Sequence, residues 1–242
     1  MENLDERVRE AIRHFWTTRD RQANNQGAKT GQRDAGTRTA VTGGAQLDGF
    51  VDLVGGVLSD AGLPDAAIIK KQNVMLPGFF RPTKEWDLLV VVDGELLAAL
   101  EFKSQVGSFG NNYNNRTEES LGNAVDLLTA YREGAFKPSK RPWLGYMFLL
   151  EDSPGSNKPV SVKEPWFPVF EEFKGASYAQ RYCLLCLKLV RERLYDATCF
   201  LMSPREAAAT GEYREPEKEL SFRSFITSLA GRAEAYAEYR KG

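Results

Sequence analysis

The sequence predicts an α/β protein built on a mixed β-sheet flanked by helices. Three observations lead there. Four apolar runs occur at 67–76, 85–105, 143–152 and 197–203, stretches with helical periodicity lie around them, and 242 residues with 42% apolar content can bury a sizeable core. Residues 1–242 show no internal repeat and read as a single domain.

From Leu4 to Trp16 the apolar residues Leu4, Val8, Ile12 and Phe15 recur at three- to four-residue steps, the spacing of one helix face. Residues 20–45 are polar and Gly-rich, which reads as a long loop or as a segment that orders on a ligand. Apolar pairs resume from Gln46 to Ala61 in QLDGFVDLVGGVLSDA, a second helix that Gly55 and Gly56 weaken. AIIKKQNVML, closed by Pro77-Gly78, reads as a strand ending in a turn. In EWDLLVVVDGELLAALEFKSQ two apolar runs flank Asp93-Gly94, a strong hairpin signal. WLGYMFLLED from Trp143 and ATCFLMS from Ala197 give two more strands, with helical patterns at about 118–132, 177–194 and 219–239.

Composition removes several classes of function. No run approaches the ~18–20 apolar residues of a membrane span, and acids stand near the start where a signal peptide carries bases, so a soluble, cytoplasmic protein without membrane contact is expected. Three cysteines do not make a disulfide framework, and the Cys183/Cys186 CxxC lies in the apolar run YCLLCLKLV with no second pair to complete a zinc site, so these read as buried helix cysteines. The single histidine, His14, sits in a helical pattern beside Phe15 and Trp16, which argues against His-rich metal sites and Ser-His-Asp triads. A net charge of −1 does not announce nucleic-acid binding. Charge distribution says more: Arg19, Arg21, Lys29 and Arg33 stand among Gln, Asn and Gly with Asp20 as the only acid, a stretch suited to phosphate contacts.

The chemistry concentrates in the hairpin. Asp87 opens its first strand while Glu101 and Lys103 close the second as EFK, and alternation places Glu101 and Lys103 on one face. Carboxylates so held can bind one or two Mg2+ ions, and a neighbouring ammonium can orient or help deprotonate a water, which suits phosphodiester hydrolysis. A plain two-residue turn at Asp93-Gly94 pairs Asp87 with Leu100 and leaves Glu101 on the opposite face, so this reading requires a three-residue loop or a bulge. After Lys103 comes SQVGSFGNNYNNRTEES. Its Asn111, Asn112, Asn114, Asn115 and Arg116, with Ser104 and Gln105 before them, read either as a base-reading loop or as a solvated turn preceding a helix at Glu118.

The stretch from Trp86 to Glu119, WDLLVVVDGELLAALEFKSQVGSFGNNYNNRTEE, resembles the XhoI family of type II restriction endonucleases, within the PD-(D/E)xK nuclease superfamily, and QLDGFVDLV and the chain length fit it too. The resemblance implies a restriction-endonuclease-like core and a homodimer that binds double-stranded DNA, requires Mg2+, recognises CTCGAG and cuts after the first C to leave 5′ overhangs. It places the superfamily's two acids at Asp87 and Glu101 and its lysine at Lys103, with Trp86 where a proline is usual. Some members of the superfamily draw a further acid from a preceding helix, and Asp48, Asp52 or Glu85 could supply it. Two other readings compete: a nuclease of the same superfamily that recognises DNA structure or acts in repair, and a non-cleaving DNA-binding protein. The intact acid, acid, lysine set disfavours the second, and the asparagine-rich segment disfavours the first.

Overall fold

The computed structural model describes residues 3–30 and 45–241, with side chains omitted at 25–30 and 240–241. Seven strands are present among the described residues: β1 (Ile68–Lys70), β2 (Met75–Pro77), β3 (Thr83–Glu85), β4 (Leu88–Val92), β5 (Glu95–Gln105), β6 (Trp143–Glu151) and β7 (Ala197–Ser203). The helices are α1 (Leu4–Thr30), α2 (Asp48–Asp60), α3 (Phe109–Arg132), α4 (Pro154–Asn157), α5 (Tyr178–Arg191), α6 (Ala207–Thr210) and α7 (Phe222–Lys241).

Five strands form one sheet in the order β1-β4-β5-β6-β7. The β1/β4 and β4/β5 pairs are antiparallel and the β5/β6 and β6/β7 pairs parallel, so the sheet is mixed as expected. Its strand β6 is buried along all but its last residue, which is why WLGYMFLL carries no alternation. One face packs Leu88, Leu100, Phe102 and Met147 against α1, α2 and α7; the other packs Leu89, Ala99, Tyr146 and Phe148 against α3 and α5. Each such fully buried large side chain is worth roughly 1.5–3 kcal/mol of transfer free energy. Ser177 and Gln180 close a capping box at the start of α5.

The hairpin turn is the two-residue one, with Asp93 and Gly94 both at positive φ (50° and 81°). The bulge that the site requires is also there. Val91 pairs with Leu96 and Val90 with Ala98, so Leu97 is the extra residue, and Leu97 and Ala98 both pack on the α1/α2/α7 side. Beyond it Leu88 pairs with Leu100, which brings Asp87 opposite Glu101.

Three sequence expectations are corrected. The stretch at 20–45 is not a loop from its start, because α1 continues to Thr30; residues 17–30 contain no proline and several good helix formers, and lack of an apolar face does not by itself end a helix. Residues 31–44, including Arg33, lie outside the described residues. The asparagine-rich segment is not a loop either: α3 starts at Phe109, nine residues ahead of Glu118. Phe109 and Tyr113 lie at helical spacing, Phe109 stacked on Tyr178 and Tyr113 edge-on to Tyr182, and that packing overrides the low helix propensity of Asn. Finally, AIIKKQNVML is two strands, broken at Lys71 and Asn73, both at positive φ; β1 joins the main sheet and β2 pairs with β3 in a separate two-stranded hairpin.

Candidate active site

Alternation from Leu88 and Leu100, which face α1, α2 and α7, turns Asp87, Glu101 and Lys103 to the opposite face, toward α3. The bulge at Leu97 is what makes the three agree. They line a cleft of about 630 Å³ together with Asp48, Glu85, Ser104 and Arg116.

Asp87 is half-buried, and its Oδ2 accepts a hydrogen bond from the Phe102 backbone N–H at 2.6 Å. Burial, and then the Glu101 charge, raise its pKa to about 6. Glu101 is only 3% exposed. Burial pushes its pKa up, but Lys103 and Lys84 outweigh that and leave it lowered and the carboxyl ionised. The two lysines divide its oxygens, Lys103 taking Oε1 and Lys84 taking Oε2 at 2.6 Å. Burial pushes the Lys103 pKa down, yet Glu101 and Asp87 raise it on balance, so this side chain is a firmly protonated ammonium.

Lys84 escaped the sequence reading. It lies on β3, seventeen residues before Glu101 in the chain, and its register is set by pairing with Leu76. Its ammonium also donates to the Glu85 carbonyl at 2.7 Å and lies 4.4 Å from the centroid of the Trp86 ring. The available signal was alternation in Lys84-Glu85-Trp86, which carries Lys84 and Trp86 on one side of a segment running straight into Asp87. The β2/β3 hairpin is fastened at its tip: Asp126 of α3 accepts from the backbone N–H groups of Phe79 and Phe80 and from Arg81 Nε at 2.7–2.8 Å. Gly78 is required there, since a Cβ would stand 2.5 Å from Asp126 Oδ2.

The remaining candidates divide. Asp48 opens α2, lines the cleft and pairs with Lys71 at 3.1 Å; Glu85 lines the cleft and is exposed. Asp52 is not among the cleft residues and pairs with Lys70 at 2.8 Å, so the structure leaves two of the three acids in place. Ser104 lines the cleft, whereas Gln105 is buried with its amide donating to the Gly107 carbonyl. Asn111, Asn114 and Asn115 are exposed on the first turns of α3, and Asn112 bonds the Ser108 carbonyl. Arg116 reaches the cleft, pairs with Glu119, and has its Nε buried without a hydrogen-bond partner among the described residues. Arg19 is half-buried and Arg21 exposed on α1, where the Lys29 backbone also lies. His14 bonds the Ala45 carbonyl through Nε2, a structural contact. Cys186 is buried in α5 and Cys183 half-buried.

Among the described residues no three His, Cys, Asp or Glu side chains cluster as a metal cage, and no helix is long and apolar enough to cross a membrane. Asp87 and Glu101 still suit a hard dication. Magnesium typically takes one or two carboxylates and completes its shell with water and substrate phosphate, and the raised pKa of Asp87 marks a place where added positive charge is favoured.

A five-stranded mixed sheet flanked by helices is the architecture of a restriction-endonuclease-like fold, and here Asp87 just before β4 and Glu101 and Lys103 on β5 meet on one of its faces. The comparisons with known proteins agree. Residues 26–215 match the family described as restriction endonuclease XhoI. The type II restriction enzyme BstVI of Geobacillus stearothermophilus is 53% identical over 203 residues, covering 81% of this chain and 91% of that protein. The type II restriction enzyme XhoI of Xanthomonas vasicola is 42% identical over 218 residues, covering 88% and 87%. AbrI of Azospirillum brasilense, also a type II restriction enzyme, is 48% identical over 167 residues, covering 68% and 74%. No solved structure matches. The chain belongs to the XhoI family of type II restriction endonucleases, site-specific hydrolases of double-stranded DNA for which a divalent metal cofactor is implied.

Proposed function

We infer that this protein, one endonuclease domain over 1–242, acts in the cytoplasm as a homodimer. It hydrolyses double-stranded DNA at CTCGAG with Mg2+, cutting after the first C of each strand to leave 5′ overhangs. The observation that carries the catalytic part is the Leu97 bulge, which brings Asp87 opposite Glu101 and turns both with Lys103 into one cleft. The site sequence and cut position follow from the family resemblance, and the dimer from the symmetry of a palindrome, which a two-fold pair of subunits reads most simply.

Asp87 and Glu101 would hold the ion, which supplies Lewis-acid polarisation of the phosphodiester and a more acidic water. The protein's own side chains then have distinct tasks. Glu101, kept ionised by its lysines, is an acceptor at any working pH near neutrality. Lys103 keeps its proton and serves as a donor that orients the attacking water and balances charge on the phosphate, rather than as the base. Arg116 and Lys71, the latter paired with Asp48, add further cations to the cleft. Asn111, Asn114 and Asn115, exposed on the first turns of α3, are the side chains we assign to base edges, with Asn112 held to the Ser108 carbonyl.

Incubating the purified protein with a long duplex and Mg2+, then sequencing the fragment ends, tests the reading. Uniform ends within one hexanucleotide are expected. Random nicking, another hexamer, or no cleavage overturns it.

A further inference from the structure

Glu101 carries an ammonium at each oxygen, but the two are held very differently. Lys103 lies in the cleft wall with 27% of its side chain exposed. Lys84 is 10% exposed, is tied also to the Glu85 carbonyl and the Trp86 ring, and rides on a hairpin fastened to α3 through Asp126. Any cation bound between Asp87 and Glu101 must take a carboxylate oxygen that now faces an ammonium. Lys103 can yield by turning into the cleft. Lys84, less exposed and held by two further partners, has far less room to do so.

We propose that Lys84 is a positioning residue that stays on Glu101 Oε2 when the site is loaded, and that its fixed charge keeps metal binding weak until a DNA phosphate arrives. This rests on the metal-dependent reading above. The charge balance gives the reason. Asp87 and Glu101 against Lys84 and Lys103 sum to zero, Asp48 is balanced by Lys71 and Arg116 by Glu119, so a dication leaves an excess of positive charge that the exposed Glu85 at the cleft edge offsets only in part. A phosphate in the cleft removes part of that excess. Without Lys84 the carboxylates meet the dication with Lys103 alone as competitor. Repulsion between a fixed ammonium and a dication a few ångströms apart exceeds thermal energy several-fold at the effective dielectric of such sites, so its loss should tighten metal binding by at least about tenfold. A residue that merely fastened the hairpin would do the opposite or nothing.

The test titrates Mn2+ into the full-length protein by electron paramagnetic resonance. It is run without DNA and with a CTCGAG duplex carrying phosphorothioates at the scissile positions, which retain the charge and resist cleavage. Lys84→Met and Lys84→Gln should bind Mn2+ at least about tenfold more tightly than wild type without DNA, and gain less from the duplex. Lys84→Arg keeps the charge and should stay near wild type. Folded neutral variants with unchanged or weaker Mn2+ affinity overturn the role of Lys84 alone. Neutral variants that both lose their near-ultraviolet circular dichroism make Lys84 a fold fastener, which overturns it too. Failure of every protein, wild type included, to bind Mn2+ even with the duplex brings down the metal-dependent reading and this inference with it.

Discussion

Glu101 and Asp126 are both buried carboxylates with lowered pKa values, one on β5 with its side chain turned toward α3 and the other on α3 itself, yet their partners differ in kind. At Asp126 burial pushes the pKa up, and the backbone N–H of Phe80, Arg81 and the N–H of Phe79 together pull it lower. Two of those donors are main chain, so Asp126 can be satisfied only by this fold in this arrangement. Glu101 has two long, cationic side chains, one of them facing a cleft. Fixed donors close a site, whereas a donor with room to turn into the cleft, as Lys103 has, leaves an oxygen that another cation can claim. Asp87 sharpens the contrast, since it lies opposite Glu101 and yet its pKa rises to about 6.

The largest expected effect lies on the open side of this comparison. Asp87→Ala and Glu101→Ala should each lower single-turnover cleavage of a cognate duplex on the order of 10³-fold while folding and DNA binding persist. Lys103→Ala should lose cleavage similarly but keep its metal affinity. Near-normal rates in either acid variant would falsify the assignment.

Next in size is a stability effect of Asp87. In the metal-free protein its folded pKa of about 6 lies above the ordinary 3.8. The folded state therefore binds more protons between these values, and stability falls as pH rises from about 4 to 6. A two-unit rise costs about 3 kcal/mol above that window. Metal-free Asp87→Asn should be more stable than wild type in urea at pH 8 by up to that amount, and the advantage should vanish near pH 4. Equal stability at pH 8 would mean that Asp87 is not strained by its surroundings.

Asp126→Ala should act the other way, lowering stability by about 2 kcal/mol because two backbone donors and Arg81 are left without their acceptor. Urea denaturation measures it. A loss as large as this with cleavage changed far less than in the Asp87 variant keeps the two carboxylates in separate roles. An unchanged midpoint would erase the distinction.

How much of this was legible in the sequence follows from the range of each interaction. The Asp93-Gly94 turn, the apolar β4/β5 pair and the need for a bulge are local, and local pattern reveals them. Lys84 reaches Glu101 only because a separate hairpin is fastened by Asp126, forty-odd positions along the chain, and no period within Thr83–Glu85 encodes that. The start of α3 was hidden for a related reason: Asn and Gly signal a turn, and the packing of Phe109 and Tyr113 on α5 that overrides the signal is tertiary. The extension of α1 past Trp16 is hidden from the sequence because periodicity reports burial, and none of residues 17–24 is fully buried.

The smallest effects concern which side chains read sequence, and here the helical placement changes the expectation in detail. On a helix Asn111, Asn114 and Asn115 share an exposed side, while Asn112 turns its amide to the Ser108 carbonyl and Arg116 turns to the cleft. A side chain bonded to a base edge should cost about 1–3 kcal/mol on truncation, confined to the cognate sequence. Alanine at Asn111, Asn114 or Asn115 should therefore lower affinity for CTCGAG while nonspecific affinity and its salt slope hold. Alanine at Arg116, or at Arg19, Arg21, Lys29 or Arg33, should weaken all duplexes together and lower the slope by about one unit for each phosphate that is no longer neutralised. Fluorescence anisotropy with CTCGAG and single-base variants, each across a salt series, separates the two patterns. If the three asparagine variants keep full discrimination, α3 presents no base reader and the segment 31–44 is the next place to look; if Arg116→Ala loses discrimination instead of slope, the cleft cation contacts a base and not the backbone.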